Sequence, residues 1–360
     1  MLKPFLLDHL PDEWEGMDKP SYRKDQVLDW IFKKATLSFL KMSNLPLSFR
    51  HTLEDKWELN ALSLVKIQGS SDSTQKFLWR LRSGDYIESV LIPANIGQDG
   101  QRSKRLTVCL STQVGCAYGC KFCASGLEGW KRNLSPAEIV SQILQIQALT
   151  QTRVDNLVFM GMGEPLANFD SLMRALEIIH APWGLNIGAR HVTISTSGLV
   201  PQILKLADRP EQFALAISLH AATDDIRNKI MPINRKYPLS LLLEACASYQ
   251  KKKNRLITFE YILIEDLNDS LEQATLLAQH AKRIRAKINL IPYNKVDPLP
   301  WRRPSPDRIQ AFLHTLRQHG VSATVRHEKG HDIDAACGQL RLKQLQNHQQ
   351  LLTSDVSTTP

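Results

Sequence analysis

The sequence predicts an α/β protein: a partial, laterally open (β/α)6 barrel, preceded by a small helical domain and an antiparallel β extension. Three observations predict it. From Leu106 onward, apolar strand-like runs alternate with helical runs; residues 62–93 have the period of strands alone; the first sixty residues have that of helices.

In chain order, YRKDQVLDWIFKK from Tyr22 places Val27, Trp30 and Ile31 at helical spacing, and residues 47–60 give a second amphipathic run. LSLVKI, TQKFLWRL and DYIESVLIP follow, separated by the turn-like SSDS and SGD, and read as an antiparallel meander. The strand candidates beyond are LTVCL from 106, NLVFM from 156, HVTIS from 191, FALAISL from 213, LITFEYILI from 256 and KINLIP from 287. Helical runs separate them at 135–149, 170–180, 201–207, 239–251, 270–284 and 305–319. Strands alternating with helices of this length require βαβ crossovers and a parallel sheet. Six units fall short of the eight that close a TIM barrel. A doubly wound sheet satisfies the same alternation, and in either architecture functional groups belong at the carboxyl ends of the strands. The expected division is a helical accessory, RNA-binding domain (1–60), a β-rich extension (61–100), the partial barrel (101–344) and a polar tail without a core pattern (345–360), expected to be disordered.

With 360 residues, 43% hydrophobic and 22% charged, the chain buries a full core. It has no apolar run long enough for a membrane helix, and MLKPFLLDHL is too short and polar for a secretory signal, so a cytoplasmic, membrane-free protein is expected. The net charge of +9 gathers at 102–105 (RSKR), 251–255 (KKKNR), 282–287 (KRIRAK) and 302–303. Such an excess suits a polyanion such as RNA, although two of these runs are equally at home as solvated helix faces.

Six cysteines are too few for a disulfide scaffold. Three crowd into Cys116-Ala-Tyr-Gly-Cys120-Lys-Phe-Cys123, directly after the first barrel strand. Three thiolates on one tight loop suit a cubane cluster, each binding one iron and leaving the fourth iron open. Zinc stays open as an alternative, with Cys109 and His191 the nearest candidates for a fourth ligand. One unit later Gly161-Met162-Gly163-Glu164-Pro165 ends the second strand; its glycines permit close backbone approach to a ligand, and Glu164 offers a carboxylate to a cationic amine. Seen alone, Cys109 in its apolar strand, Cys246 in LLLEACASY and Cys337 after two alanines read as core cysteines.

The CxxxCxxC spacing followed by GxGEP resembles the radical S-adenosylmethionine superfamily. YIESVLIP, QVGCAYGCKFC, FMGMGEPLAN, VTISTSG, AISLHA, MPINRKYP, LIPYN and DIDAACGQL, in that order over residues 20–343, narrow the resemblance to the RlmN and Cfr family of RNA adenine methyltransferases. The resemblance implies one 4Fe-4S cluster on Cys116, Cys120 and Cys123. It implies S-adenosylmethionine, two molecules per turnover, held by Gly163, Glu164, Ser195, Ser218, Leu219, His220 and Asn294. It makes Cys337 the residue that becomes S-methylated, Cys109 a second catalytic thiol, and Glu88 an acidic residue in proton transfer.

In the family scheme one cofactor molecule methylates Cys337, and cleavage of the second yields a radical that removes hydrogen from that methyl group. The resulting carbon radical adds to the electron-poor adenine ring. Release of the RNA then requires loss of a ring proton and a transient disulfide bond between Cys337 and Cys109. GEPLAN, STSG and LIPYN resemble the C2 enzyme more than the C8 enzyme. The resemblance therefore implies methylation of C2 of an adenosine in 23S rRNA, with the anticodon-loop adenosine of tRNA as a second substrate. It also implies an external electron donor such as a flavodoxin-type reductase, and a monomer. C8 methylation, a non-methylating radical enzyme and an iron-sulfur RNA-binding protein without turnover are the alternatives; only the first has a use for Cys337.

Overall fold

The computed structural model describes residues 2–15, 17, 20, 22–94, 103, 105–127, 129–295, 299–326 and 333. The amino-terminal region contains α1 (Tyr22–Leu28), prolonged by a π-helical turn over Asp29–Lys33, and α2 (Leu47–Lys56). The expected meander follows as β1 (Leu62–Gly69), β2 (Gln75–Leu81) and β3 (Tyr86–Pro93). Beyond it come β4 (Leu106–Cys109), β5 (Gln113–Gly115), α3 (Ala124–Leu127), β6 (Trp130–Asn133), α4 (Pro136–Thr150), β7 (Asn156–Phe159) and α5 (Phe169–His180). The chain continues through β8 (Val192–Thr196), α6 (Val200–Ala207), β9 (Ala214–Ser218), α7 (Asp224–Ile230), α8 (Leu239–Lys253), β10 (Thr258–Leu263), α9 (Leu271–Arg283), β11 (Lys287–Pro292), α10 (Pro306–Gln318) and β12 (Ala323–Val325).

Ten strands form one sheet in the order β1-β2-β3-β4-β7-β8-β9-β10-β11-β12. The pairs from β1 to β4 are antiparallel, and all pairs from β4 to β12 are parallel. A doubly wound sheet reverses its strand order at a switch point. Here the parallel strands follow the sequence without reversal, and β1 and β12 stand at opposite ends of the order, as in a partial barrel. All six expected strands are present, and β12 adds a short seventh. The meander is continuous with the barrel sheet, because Val90 of β3 pairs with Cys109 of β4. The β5–β6 hairpin and the short helices α3 and α7 carried no clear sequence signal.

Capping chemistry sets several helix starts. Ser135 and Glu138 form a capping box with Pro136 in the first turn of α4, and the hydroxyls of Ser270 and Ser305 accept amides at the starts of α9 and α10. The amino-terminal region docks on α4 and α5. Ala137 N donates to Asp8 Oδ1 at 2.8 Å, Arg174 pairs with Glu13, and the Phe32 and Trp183 rings meet edge to face at 6.1 Å.

Paired residues on neighbouring strands point to the same face of a sheet. Leu157, Phe159, Ile194, Leu215, Ile217, Phe259, Ile288 and Leu290 share the face covered by helices and are at most 1% exposed. The register Cys109↔Val158↔Thr193, Ser195↔Ala216, Ser218↔Glu260↔Asn289↔Thr324 traces the opposite, interior face. Glu88, two residues from Val90 on β3, shares it. A sheet packed on both faces reads as unbroken apolar strands. The polar residues on this face therefore mark the wall of a site.

Candidate active site

Residues 110–113 join the two motifs at the head of β4. Thr112 N and Gln113 N donate to Met162 O at 2.9 and 3.2 Å, Met162 N donates to Ser111 Oγ at 2.9 Å, and Glu164 N donates to Gln113 Oε1 at 2.8 Å. The approach is so close that only glycine fits: a Cβ at Gly161 would lie 2.6 Å from Leu110 O, and one at Gly163 (φ +97°) 2.5 Å from Gln113 Cβ. The GMGEP turn and the start of the cysteine loop are thus one rigid unit.

Cys116, Cys120 and Cys123 lie on the loop between β5 and α3. All three are half-buried free thiols. Cys116 N donates to Gly129 O at 3.0 Å and Cys123 N to Cys120 O at 3.1 Å. Burial pushes the Cys116 thiol up to about 12, and burial also raises Cys120 and Cys123, whose charges further oppose those of their neighbours. Burial thus favours the neutral thiols, and a cationic group would be needed to hold all three as thiolates. Among the described residues no three metal-binding side chains converge on a single ion, so zinc gains no closed ligand set. A cubane, taking each thiol on a separate iron, fits these donors.

Glu164 has a structural role that the sequence did not indicate. Its carboxylate is buried and accepts from Leu166 N at 3.1 Å and from Ser197 N at 2.7 Å, bolting the GEP turn to the STSG turn after β8. Burial raises its pKa, opposed by these amide hydrogen bonds. Glu164→Gln must turn one amide N–H2 toward a backbone N–H, and an unsatisfied buried donor costs about 1–3 kcal/mol. The expected result is a lower unfolding midpoint in a denaturant titration; an unchanged midpoint would show that the bolt contributes little.

Ser195 and Ser218 stand at the ends of β8 and β9 on the interior face, and Leu219 is fully buried. His220 adopts a left-handed backbone (φ 59°), its Nδ1 accepts from Ile262 N at 3.0 Å, and its ring meets Phe122 of the cysteine loop at 4.6 Å. Burial pushes its pKa down to about 3, so the ring is neutral in the fold. An unfolded histidine takes up a proton near pH ~6.5 that the folded one refuses, so this group's stabilisation is present above that pH and is lost as pH falls from there toward about 3. His220→Asn keeps an acceptor and tolerates the backbone. Between about pH 7 and 5 the wild-type unfolding temperature should drop more than that of the variant; equal slopes would refute the assignment. Asn294, just past β11, is exposed.

The two remaining described candidates meet on the wall. Glu88 and Cys109 are both buried, on the same face of β3 and β4, and Ser111 Oγ donates to Glu88 O at 2.6 Å. Burial pushes the Cys109 thiol up to about 11, against the field of Arg326, with Glu88 raising it further. Cys246 is buried in α8, far from this wall in role, as expected of a core residue. Cys337 lies outside the described residues, as do the expected tail and much of the 102–105 basic run. Among the described residues no disulfide is formed; Cys109, Cys116, Cys120, Cys123 and Cys246 are all free.

Sequence reasoning missed three wall residues: Glu260, buried and bonded by Asn289 Nδ2 at 2.7 Å, and Arg326, whose field reaches Glu260 and Cys109. A lone carboxylate inside the apolar run LITFEYILI was the available signal for Glu260. Asn289 and Arg326 gave none.

Residues 110–278 match the radical SAM superfamily, and residues 6–59 match the ribosomal RNA large subunit methyltransferase N-terminal domain. The chain is 52% identical over 325 residues, 90% of each chain, to the probable dual-specificity RNA methyltransferase RlmN of Akkermansia muciniphila. It is 44% identical to that of Geobacillus kaustophilus, over 94% of this chain and 91% of the relative. A radical SAM methyltransferase from Sphaerobacter thermophilus superposes with a TM-score of 0.87 at 41% identity, over 93% of this chain and 98% of that one.

Proposed function

The chain belongs to the RlmN family of radical SAM RNA methyltransferases, and from that membership we propose that it methylates C2 of an adenosine in 23S rRNA and of the anticodon-loop adenosine of tRNA. The observation that supports this reading is that Glu88 and Cys109 share one interior face of β3 and β4, next to a segment, residues 111–113, that is hydrogen-bonded to the GMGEP turn and leads into the cysteine loop. The dual-specificity name of the relatives supports the two RNA substrates.

Cys116, Cys120 and Cys123 hold one 4Fe-4S cluster, and Gly163, Glu164, Ser195, Ser218, Leu219, His220 and Asn294 surround S-adenosylmethionine. When bound, these two groups supply the methyl carbon and the radical that activates it. Cys337 accepts the methyl group as a nucleophile and carries it to the ring. Glu88 takes a proton beside Cys109. The adduct radical also gives up one electron, which the oxidised cluster would accept. The Cys109 sulfur then bonds to the Cys337 sulfur as the bond from that sulfur to the methyl carbon breaks, and the thiol proton of Cys109 completes the methyl group on the base. An external thiol reductant reopens the disulfide. Electrons reach the cluster from an external donor of the flavodoxin type, the protein works as a monomer in the cytoplasm, and no described helix is long and apolar enough to cross a membrane.

The test is anaerobic. The chain is reconstituted with iron and sulfide, reduced, and supplied with labelled S-adenosylmethionine and unmodified rRNA or tRNA; the RNA is then digested for mass spectrometry. 2-Methyladenosine is expected. 8-Methyladenosine would overturn the ring position, and cofactor cleavage without RNA methylation would overturn the methyltransfer. The basic runs and the amino-terminal helices are proposed to grip the RNA backbone, so binding should weaken steeply with salt; a flat salt dependence would refute that grip.

A further inference from the structure

Arg227 of α7 is completely buried, and its guanidinium reaches four acceptors: Leu219 O at 3.0 Å, Asn234 Oδ1 at 2.8 Å, Ser197 O at 2.6 Å and Ser218 O at 3.2 Å. Three of these are backbone carbonyls from the two turns that follow β8 and β9. Its helix is tied to the cysteine loop as well, since Lys121 N, between Cys120 and Cys123, donates to Ile230 O at 2.9 Å.

Burial of a cation is costly unless a counter-charge sits beside it. Among the described residues no carboxylate forms an ion pair with Arg227; Asp224 is one residue removed, accepting from Asn234 Nδ2 at 2.8 Å and from Leu239 N at 2.9 Å. Burial disfavours the charged guanidinium, and the groups whose charged forms would favour it are Cys120 of the loop, Asp224 and Cys246. A site that buries an unpaired cation next to a thiol loop is complementary to an anionic group on that loop, as a thiolate-ligated cluster is.

We infer that Arg227 is a positioning residue that sets the spacing of the two cofactor turns and also supplies the fixed positive charge beneath the cluster loop, easing entry of an electron. This rests on the cofactor reading above. A buried positive charge favours the more negative, reduced form of a neighbouring cluster, so its loss moves the potential downward. Planar, bidentate bonding to several carbonyls is a property of arginine that lysine does not share.

The experiment compares reconstituted wild type with Arg227→Gln, Arg227→Met and Arg227→Lys. The cluster potential is read by EPR during a dithionite titration with mediators, and cofactor affinity by calorimetry. Arg227→Gln and Arg227→Met should shift the potential to more negative values while Arg227→Lys leaves it near wild type, and all three should bind S-adenosylmethionine about tenfold more weakly or worse. Unchanged potential in the two neutral variants would overturn the charge role; unchanged affinity in all three would overturn the positioning role. If the neutral variants do not fold, Arg227→Lys decides: a potential far below wild type or wild-type cofactor affinity overturns the inference. A wild-type chain that takes up no cluster removes the cofactor reading, and this inference with it.

Discussion

RNA that remains covalently attached to the protein is the expected product of Cys109→Ala. Once Cys337 has joined its carbon to the adenine ring, release needs a second sulfur to take the Cys337 sulfur away from that carbon. Under the proposed function this is the role of Cys109, which lies on the interior wall on the same face as Glu88 and whose thiol burial pushes up to about 11. Alanine fills nearly the same space in the buried β4 position, so the fold should survive. The variant should run no more than one turnover and accumulate a labelled protein–RNA adduct that resists denaturing electrophoresis and disappears after nuclease digestion. Release of methylated RNA at the wild-type rate would remove Cys109 from the mechanism. Cys337→Ala gives the complementary outcome, with neither adduct nor methylated RNA.

The other large effect is expected at Cys116→Ala. The cysteine loop is shaped by backbone contacts, Cys116 N to Gly129 O at 3.0 Å among them, so deleting one sulfur leaves its path intact. What is lost is one of three donors that burial already disfavours as thiolates. With two remaining, the cluster is no longer anchored on three irons. Iron content after anaerobic reconstitution should fall to background, and methylation with it, while the far-ultraviolet circular dichroism stays that of wild type. Full iron loading of this variant would move the cluster to other residues.

The parallel strands were legible because each carries β-branched and apolar residues between helices whose caps are spelled locally, as with Ser135-Pro136-Ala137-Glu138 before α4. The antiparallel meander was legible for a similar reason, through its short turns. That the meander continues the barrel sheet was not, since pairing of Val90 with Cys109 is a joint property of two segments separated in the sequence rather than of either one. The β5–β6 hairpin escaped notice because its four-residue outer strand, Trp130–Asn133, is mostly exposed and has no apolar period.

At the site, the cysteines and the GMGEP turn were visible because ligation and close approach demand particular residues at fixed spacing. Arg227 was not. In DDIRNKI it is one charge among several on a short helix, and only the folded chain shows that it is the one turned inward. For Glu164 the sequence showed the position, while the joining of two turns by its carboxylate needs the spatial neighbour Ser197 to be seen.

The parallel strands lie in the sheet in the order in which they occur in the chain. A nascent polypeptide can therefore add each βα unit to a finished edge as it leaves the ribosome, without waiting for a distant segment to be threaded in. The cysteine loop and the turns after β7, β8 and β9 are all synthesised before β12, which brings Arg326 to the wall. The segments that carry the cysteine loop and these turns thus precede the last strand in the chain, so premature termination before β12 would yield a chain that has them and lacks the final edge of the interior wall.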